Sequence, residues 1–342
     1  MRLLYLAFGL ILWTTSHASA LDVEEHQYFP GSGARVLKIL STTDLALFAP
    51  YVRAFQDIRP DIAVDYTVVS SSELHRAIRD GAQFDLAISS AMDLQLKLAN
   101  DGFALPYWSD AVEKLPDWAR WRTLIFAITA ESAVVVVNTD LFEGLDLPET
   151  RQDLLALLRD NPDRFAGAVG TYDVRVSGLG YLFATQDDRA TDAFWRLNEV
   201  MGRLDPQLYC CSGQMIDDVD EGRLALAYNV LDSYAVGRLA ADKGGRMQIL
   251  EMQDFTNVML RTVLIPATAQ DIDAAGAMID MLTTLGIRDQ PGDWPLPSLS
   301  LSGPLEKSGF GPIRLGPALM VYLDPLNRRN FLTEWEDAME QR

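Results

Sequence analysis

Three apolar runs in the first third of the chain each stop at a cluster of hydroxyl residues, and each cluster leads toward a helical pattern. Val36–Leu40 is followed by Ser41-Thr42-Thr43-Asp44. A helix follows with Leu45, Phe48, Val52 and Phe55 on one face; Pro50 puts its start close to the hydroxyl cluster, because proline is tolerated in a first turn. After Pro60, Ile62, Val64, Tyr66 and Val68 alternate with Ala63, Asp65 and Thr67, the period of a strand. Ser70-Ser71-Ser72 comes next, with Glu73 in a capping position and a helix to about Arg79. Phe84–Ile88 is the third strand and ends in Ser89-Ser90. Short β-α-β-α-β connections of this kind build a parallel sheet wound with right-handed crossovers. Open sheets of this type bind ligands beyond the carboxyl ends of their strands. Helix starts there present unpaired N–H groups and about half a unit of positive charge. The hydroxyls cap those helices, and N–H groups left over from capping can still hold a ligand.

A second unit repeats the pattern. Ala133–Val137 is a continuous apolar strand ending at Asn138, after a helix-rich stretch containing Trp118 and Trp121. Asp153–Leu158 reads as helix and Ala166–Val169 as strand. Thr171-Tyr172-Asp173 leads through Arg175 to Ser177-Gly178-Leu179-Gly180 and a helix through Phe183. Leu224–Tyr228 is a strand followed by Asn229, and Asp232-Ser233-Tyr234 opens a helix to about Ala241. Met259–Ile265, ending at Pro266, carries the chain back to the first unit. Asp271–Leu285 is helical, and Pro291–Pro304 is loop-like. Asp324-Pro325 starts a last helix, with aspartate as cap and proline at the first position. Phe331, Trp335 and Met339 recur four apart along it as a buried stripe.

Arg2, the apolar run Leu3–Trp13 and Ala18-Ser19-Ala20 have the layout of an export signal cleaved near Ala20. The run is shorter than the roughly 20 residues of a spanning helix, and no cysteine stands at the cleavage point for a lipid anchor. The remaining length, about 320 residues, suits two domains of about 150. Formal charge is −19, or −20 once Arg2 leaves with the signal. Phosphate backbones are repelled by that charge, which excludes nucleic acid as a partner.

Of three histidines only His26 and His75 outlast the signal, so neither a histidine-rich metal site nor a Ser–His catalytic pair is expected. There is no Gly-x-Ser-x-Gly elbow. Ser177-Gly178-Leu179-Gly180 lacks the P-loop lysine and the dinucleotide spacing, and is a helix start where backbone approaches a ligand closely. No enzyme activity and no cofactor are expected. The two cysteines, Cys210 and Cys211, are neighbours. Adjacent Cα atoms sit about 3.8 Å apart, closer than the roughly 4.4–6.8 Å of unstrained disulfides. Two thiols, a vicinal disulfide and a soft-metal site all remain open.

The segments Ile39–Thr43, Phe84–Ser90, Thr171–Phe183, Ala227–Ala235 and Phe310–Asp324 resemble the periplasmic solute-binding proteins of ABC importers. The likeness is to the type II group, in its ferric-binding-like extracellular branch, and extends over nearly the whole mature chain. The resemblance implies an α/β, two-lobed fold, each lobe a mixed or parallel sheet flanked by helices, joined by a two-segment hinge. It implies residues 1–20 as signal, 21–135 plus 262–342 as lobe 1 and 136–261 as lobe 2. It also implies a periplasmic location, a monomer, and an ABC permease or a membrane sensor kinase as partner. The family's cleft loops match Thr42, Thr43, Ser89, Ser90, Tyr172, Ser177 and the stretch Asn229–Tyr234. Ferric binders of this branch present two adjacent tyrosines, whereas Asp232-Ser233-Tyr234-Ala235 carries one, against iron of the usual kind.

The expected ligand is a small oxygen-rich anion such as an organic acid or a phosphorylated metabolite. Hydroxyls and helix starts of both lobes would hold it, with Gly178 backbone nearby. Arg175 and Arg238 are its candidate charge partners, since guanidinium grips such groups bidentately. Tyr172, Asn229 and Tyr234 would add hydrogen bonds, and Asp232 would accept from a ligand amine or hydroxyl. The alternative is a cation such as a polyamine, steered in by the net charge and by Asp44, Asp173 and Asp232.

Overall fold

The computed structural model describes residues 21–241, 245–288, 294–299 and 312–341. The expected signal and most of the loop 291–304 lie outside the described residues. The strands are β1 (Glu25–Phe29), β2 (Arg35–Ser41), β3 (Ile62–Val68), β4 (Leu86–Ser89), β5 (Ala104–Leu105), β6 (Arg120–Trp121), β7 (Ile125–Asn138), β8 (Val169–Tyr172), β9 (Gln207–Tyr209), β10 (Leu226–Leu231), β11 (Met247–Leu250) and β12 (Val258–Pro266). They hydrogen-bond in the order β1-β3-β2-β4-β12-β7-β10-β8-β9.

In the first half, β2 lies parallel between β3 and β4, as the β-α-β-α-β reading requires. In the second half, β8 lies parallel between β10 and β9. β7 joins the two. Its residues from Phe126 to Ser132 pair antiparallel with β12, while those from Ala133 to Val137 pair antiparallel with β10. The ladder between β7 and β12 breaks register between Arg261 and Thr262. The junctions expected at 135/136 and 261/262 thus fall inside these two antiparallel strands.

The helices follow the local chemistry. Ser70 accepts from the N–H of Glu73 and caps the helix Ser71–Arg79. Ser177 accepts from Gly180 N–H and caps Gly178–Ala190. Asp324 accepts from Leu326 and Asn327 ahead of the helix Pro325–Met339. The helix Leu45–Ile58 departs from expectation, because Pro50 lies beyond its first turn. Proline there forfeits a bond to the Ala46 carbonyl. Burial of Phe48, Tyr51, Val52 and Phe55 offsets that loss, at about 1.5–3 kcal/mol for each fully buried large side chain.

The C-terminal helix also packs differently from expectation. Phe331, Trp335 and Met339 share a core with Leu154, Phe194, Leu197 and Met201 of the second half, whereas the resemblance implies 262–342 as part of lobe 1. The apolar stripe was legible, but the surface it covers is fixed by long-range packing. Gly202 lets the helices meet: a Cβ there would lie 2.1 Å from the Ala338 carbonyl oxygen.

Candidate functional site

Between the two halves lies a cavity of about 290 Å³ whose wall is made by the carboxyl-end loops of strands from both sides. β2, β3 and β4 contribute Thr42, Asp44, Ser70, Ser71 and Ser90, and the chain entering β1 adds Glu24 and Glu25. β8, β9 and β10 contribute Tyr172, Ser177, Cys210, Cys211, Ser212 and Tyr234, with Asp217 and Arg238 one helical turn further out. Each loop sits there because a parallel strand must hand over to a helix on that edge.

The rims touch directly. The Tyr234 phenol donates to Asp44 Oδ1 at 2.8 Å. Leu179 N–H donates to Ser71 Oγ at 3.2 Å, and Ser72 Oγ donates to the Val176 carbonyl at 2.8 Å. Gly178 makes this approach feasible, since a Cβ there would meet Leu94 Cδ1 at 2.7 Å and Ser71 Oγ at 2.8 Å.

The structure brings Thr42, Ser90, Tyr172, Ser177 and Tyr234 together on the cavity wall. Thr42 and Ser90 lie side by side, with hydroxyls 3.3 Å apart. The Tyr172 hydroxyl is 2.5 Å from Ser212 Oγ, which also accepts from Leu231 N–H. Burial pushes both the Tyr172 and Tyr234 phenols well above the usual range, so neither stands preset as a phenolate.

The remaining six expected residues stand off the wall. Thr43 is buried and accepts from Arg261 Nη1 at 2.7 Å. Ser89 is buried and accepts from Ala91 N–H. Asn229 donates inward to Asp187 at 2.8 Å and holds a left-handed backbone, φ 63°. Asp232 accepts from Ser233 N–H; burial, then the charge of Glu131, pushes its carboxyl up to about 7. Gly178 packs against the other rim. Arg175, expected to meet an anion, forks onto Asp173 at 2.8 Å and bonds Glu340 of the last helix. Those carboxylates already use the geometry a ligand would need.

Arg238 does reach the wall, but its Nε donates to Asp217 at 2.7 Å. The cavity is therefore lined by four carboxylates, Glu24, Glu25, Asp44 and Asp217, and by one guanidinium that Asp217 already engages. Glu25 accepts from Leu45 N–H at 2.8 Å at the start of the helix Leu45–Ile58. Partial desolvation pushes the Glu24 carboxyl up, and the charges of Asp44, Asp22 and Glu25 add to it. The helix Ser212–Asp220 begins after Cys211 with no side-chain cap, and its first residues, Ser212, Gly213 and Gln214, line the cavity.

Sequence reasoning missed Glu24 and Glu25, which reach the wall only through the antiparallel register of β1 on β3. The Cys210–Gln214 stretch carried a usable signal. Cys-Cys-Ser-Gly following the short run Gln207–Tyr209 repeats the strand-hydroxyl-helix pattern found elsewhere.

Residues 41–207 match the family model described as bacterial extracellular solute-binding protein. Comparison with curated proteins gives no match. Among solved structures, the substrate-binding protein of an ABC transporter from Agrobacterium tumefaciens is 29% identical, with a TM-score of 0.86 over 92% of this chain and 98% of that one. Iron-bound HitA from Pseudomonas aeruginosa is 17% identical, with a TM-score of 0.62 over 89% and 99% of the two chains. The spermidine/putrescine substrate-binding protein PotD from Streptococcus pneumoniae is 14% identical, with a TM-score of 0.59 over 88% and 100%. The last two share the fold: a mixed sheet flanked by helices, of the type II periplasmic-binding kind.

Proposed function

Taking as premise that the chain is an extracellular solute-binding protein of the ABC-transporter kind, we propose that it captures a small molecule bearing a cationic nitrogen and delivers it to an ABC permease. The halves joined by β7 and β12 act as the lobes that close on that molecule. The observation carrying this reading is the charge of the wall, four carboxylates against one guanidinium already paired to Asp217.

Magnitudes favour the cation. A unit charge about 4 Å from a carboxylate gains or loses about 4 kcal/mol at an effective permittivity near 20. A helix start contributes about 0.3–1 kcal/mol to an anion, rising to about 2 in partly buried geometries. Three carboxylates that make no ion pair among the described residues outweigh the helix starts, so the anion expected from the hydroxyl clusters is not carried forward. Thr42, Ser90, Ser71 and the uncapped start of Ser212–Asp220 suit oxygens at the far end of the same molecule. Asp44 is placed to receive the ammonium, with Glu24 beside it.

The test is a thermal-shift screen of residues 21–342 against polyamines, amino compounds, organic acids, phosphates and sugars. A ligand at 100 times its dissociation constant adds about 2.7 kcal/mol. The expected hits carry a cationic nitrogen, and Asp44→Asn weakens them at least about tenfold. Shifts confined to organic acids or phosphates, or undiminished amine binding by Asp44→Asn, would overturn the reading.

A further inference from the structure

One part of the cavity wall is unused by that reading. Cys210 and Cys211 are joined in a disulfide between neighbouring residues, both half-buried, in the turn that links β9 to the helix Ser212–Asp220. Glu24 approaches them from the opposite half of the molecule, its Oε1 4.0 Å from Cys211 Sγ. The two sulfurs and a Glu24 oxygen all lie within 4.8 Å of one another. Among the described residues, no other set of three His, Cys, Asp or Glu side chains comes close enough to share an ion.

We propose that the pair is a reversible redox element of the cleft, and that its dithiol form together with Glu24 is a site for a soft metal ion. Reduction takes two electrons and two protons from an external dithiol, which leaves as its own disulfide. The incoming ion then replaces the two thiol protons, which pass to solvent. Two thiolates and one carboxylate favour ions such as Zn²⁺, Cd²⁺ or Cu⁺ over Mg²⁺ and Ca²⁺, which prefer all-oxygen shells. Three protein ligands leave a fourth position facing the cavity, the arrangement of an open rather than a closed site. Because Glu24 and the cysteines belong to opposite rims, a bound ion cross-links the halves and holds the cleft shut. In the disulfide form no thiolate is available, and the cleft serves its organic ligand alone. The metal site does not depend on the identity of that ligand, and its test uses metal only.

Residues 21–342 are reduced with a dithiol, freed of it under argon and titrated with Cd²⁺, alongside oxidised protein and the variants Cys210→Ser and Glu24→Gln. Free thiols, calorimetric stoichiometry and the ultraviolet thiolate-to-cadmium absorption are read. The expected result is two thiols per chain after reduction and none before. One ion then binds per reduced chain with the absorption band, while oxidised protein shows no band and Cys210→Ser, left with one thiol, shows a weaker band and weaker binding. Glu24→Gln keeps the band but binds at least about tenfold more weakly, the scale of loss seen when even an outer partner of a metal ligand is removed. Glu24 is exposed, so that variant reports on ligation even where Cys210→Ser is misfolded. Failure of the folded protein to release thiols, equal cadmium affinity in oxidised and reduced protein, or wild-type affinity in Glu24→Gln would each overturn the proposal.

Discussion

Glu131 and Arg261 make a fully buried ion pair where β7 crosses β12, and removing one partner should be among the most damaging changes this chain can suffer. The guanidinium forks onto the carboxylate, Nε to Oε1 at 2.8 Å and Nη2 to Oε2 at 2.9 Å. Thr129 and Ser233 donate to the same carboxylate, each at 2.6 Å, and the third guanidinium nitrogen donates to Thr43. Burial by itself would raise the Glu131 pKa. The Arg261 charge, its hydrogen bonds and the two hydroxyls outweigh it and hold the carboxyl below its ordinary value. At 2.8 Å and an effective permittivity near 20 the gross attraction is about 6 kcal/mol. Dehydrating each ion costs several kcal/mol, so the intact pair contributes little net stability. Glu131→Gln leaves Arg261 buried and uncompensated, a loss of about 3–5 kcal/mol. Converting both residues to apolar ones of similar size, Glu131→Leu with Arg261→Met, should recover most of it. Urea unfolding of residues 21–342, analysed at constant m-value, measures both. A single variant within about 1 kcal/mol of wild type, or a double variant no better than the single one, would refute the reasoning.

Asp93 is buried, one of its carboxylate oxygens lacks a partner, and burial pushes its pKa up to about 7. Its folded value lies above the unfolded 3.8, so the native state binds the extra proton between the two. Wild type should therefore lose stability relative to Asp93→Asn as pH rises from about 4 to about 7, and no further above that; parallel curves in pH-dependent urea unfolding would contradict this. Tyr234→Phe removes the phenol donor to Asp44, a bond to a charged group worth about 1.5–3 kcal/mol. The ligand-free molecule should open, seen as a larger radius of gyration in solution scattering, and an unchanged radius would count against the latch. Gly202→Ala drives a methyl into the Ala338 carbonyl, and overpacking of this kind costs about 1–3 kcal/mol. A thermal melt indistinguishable from wild type would mean that the last helix is not docked there.

The sheet was legible where side chains act locally. β2 follows from a short apolar run, β3 from a period of two, and the helix Ser71–Arg79 from a serine placed to cap. Ser177 and Asp324 announce their helices in the same way. The first half of β7 was not legible, because Ile125–Asn138 is buried almost throughout and shows no alternation. Glu131 breaks its apolar run for a reason that lies 130 residues away in Arg261. β9, at three residues, is too short to register. The candidate site divides along the same line. Hydroxyls at helix starts are placed by local geometry, and Thr42, Ser90, Tyr172, Ser177 and Tyr234 do face the cavity. The fate of the larger polar groups is settled by their protein partners: Arg175 is taken up by Asp173, two residues back, together with Glu340, 165 residues on, and Asn229 by Asp187, 42 residues back.

The hydroxyl ring and the acidic wall act on different properties of a ligand. A hydroxyl both donates and accepts, so Thr42, Ser90, Ser71 and Ser212 set distance and orientation without choosing a sign. The carboxylates choose it, and their influence grows as the rims approach and water leaves, since charge interactions strengthen when the local permittivity falls. An open cleft would be only weakly selective by charge. A closed one, held by Tyr234 on Asp44 and by Ser71 on Leu179, would reject an anion that the open form had admitted. On the proposed reading selection would happen at closure, and a permease that engages only the closed form would receive only a molecule whose positive end neutralises Asp44.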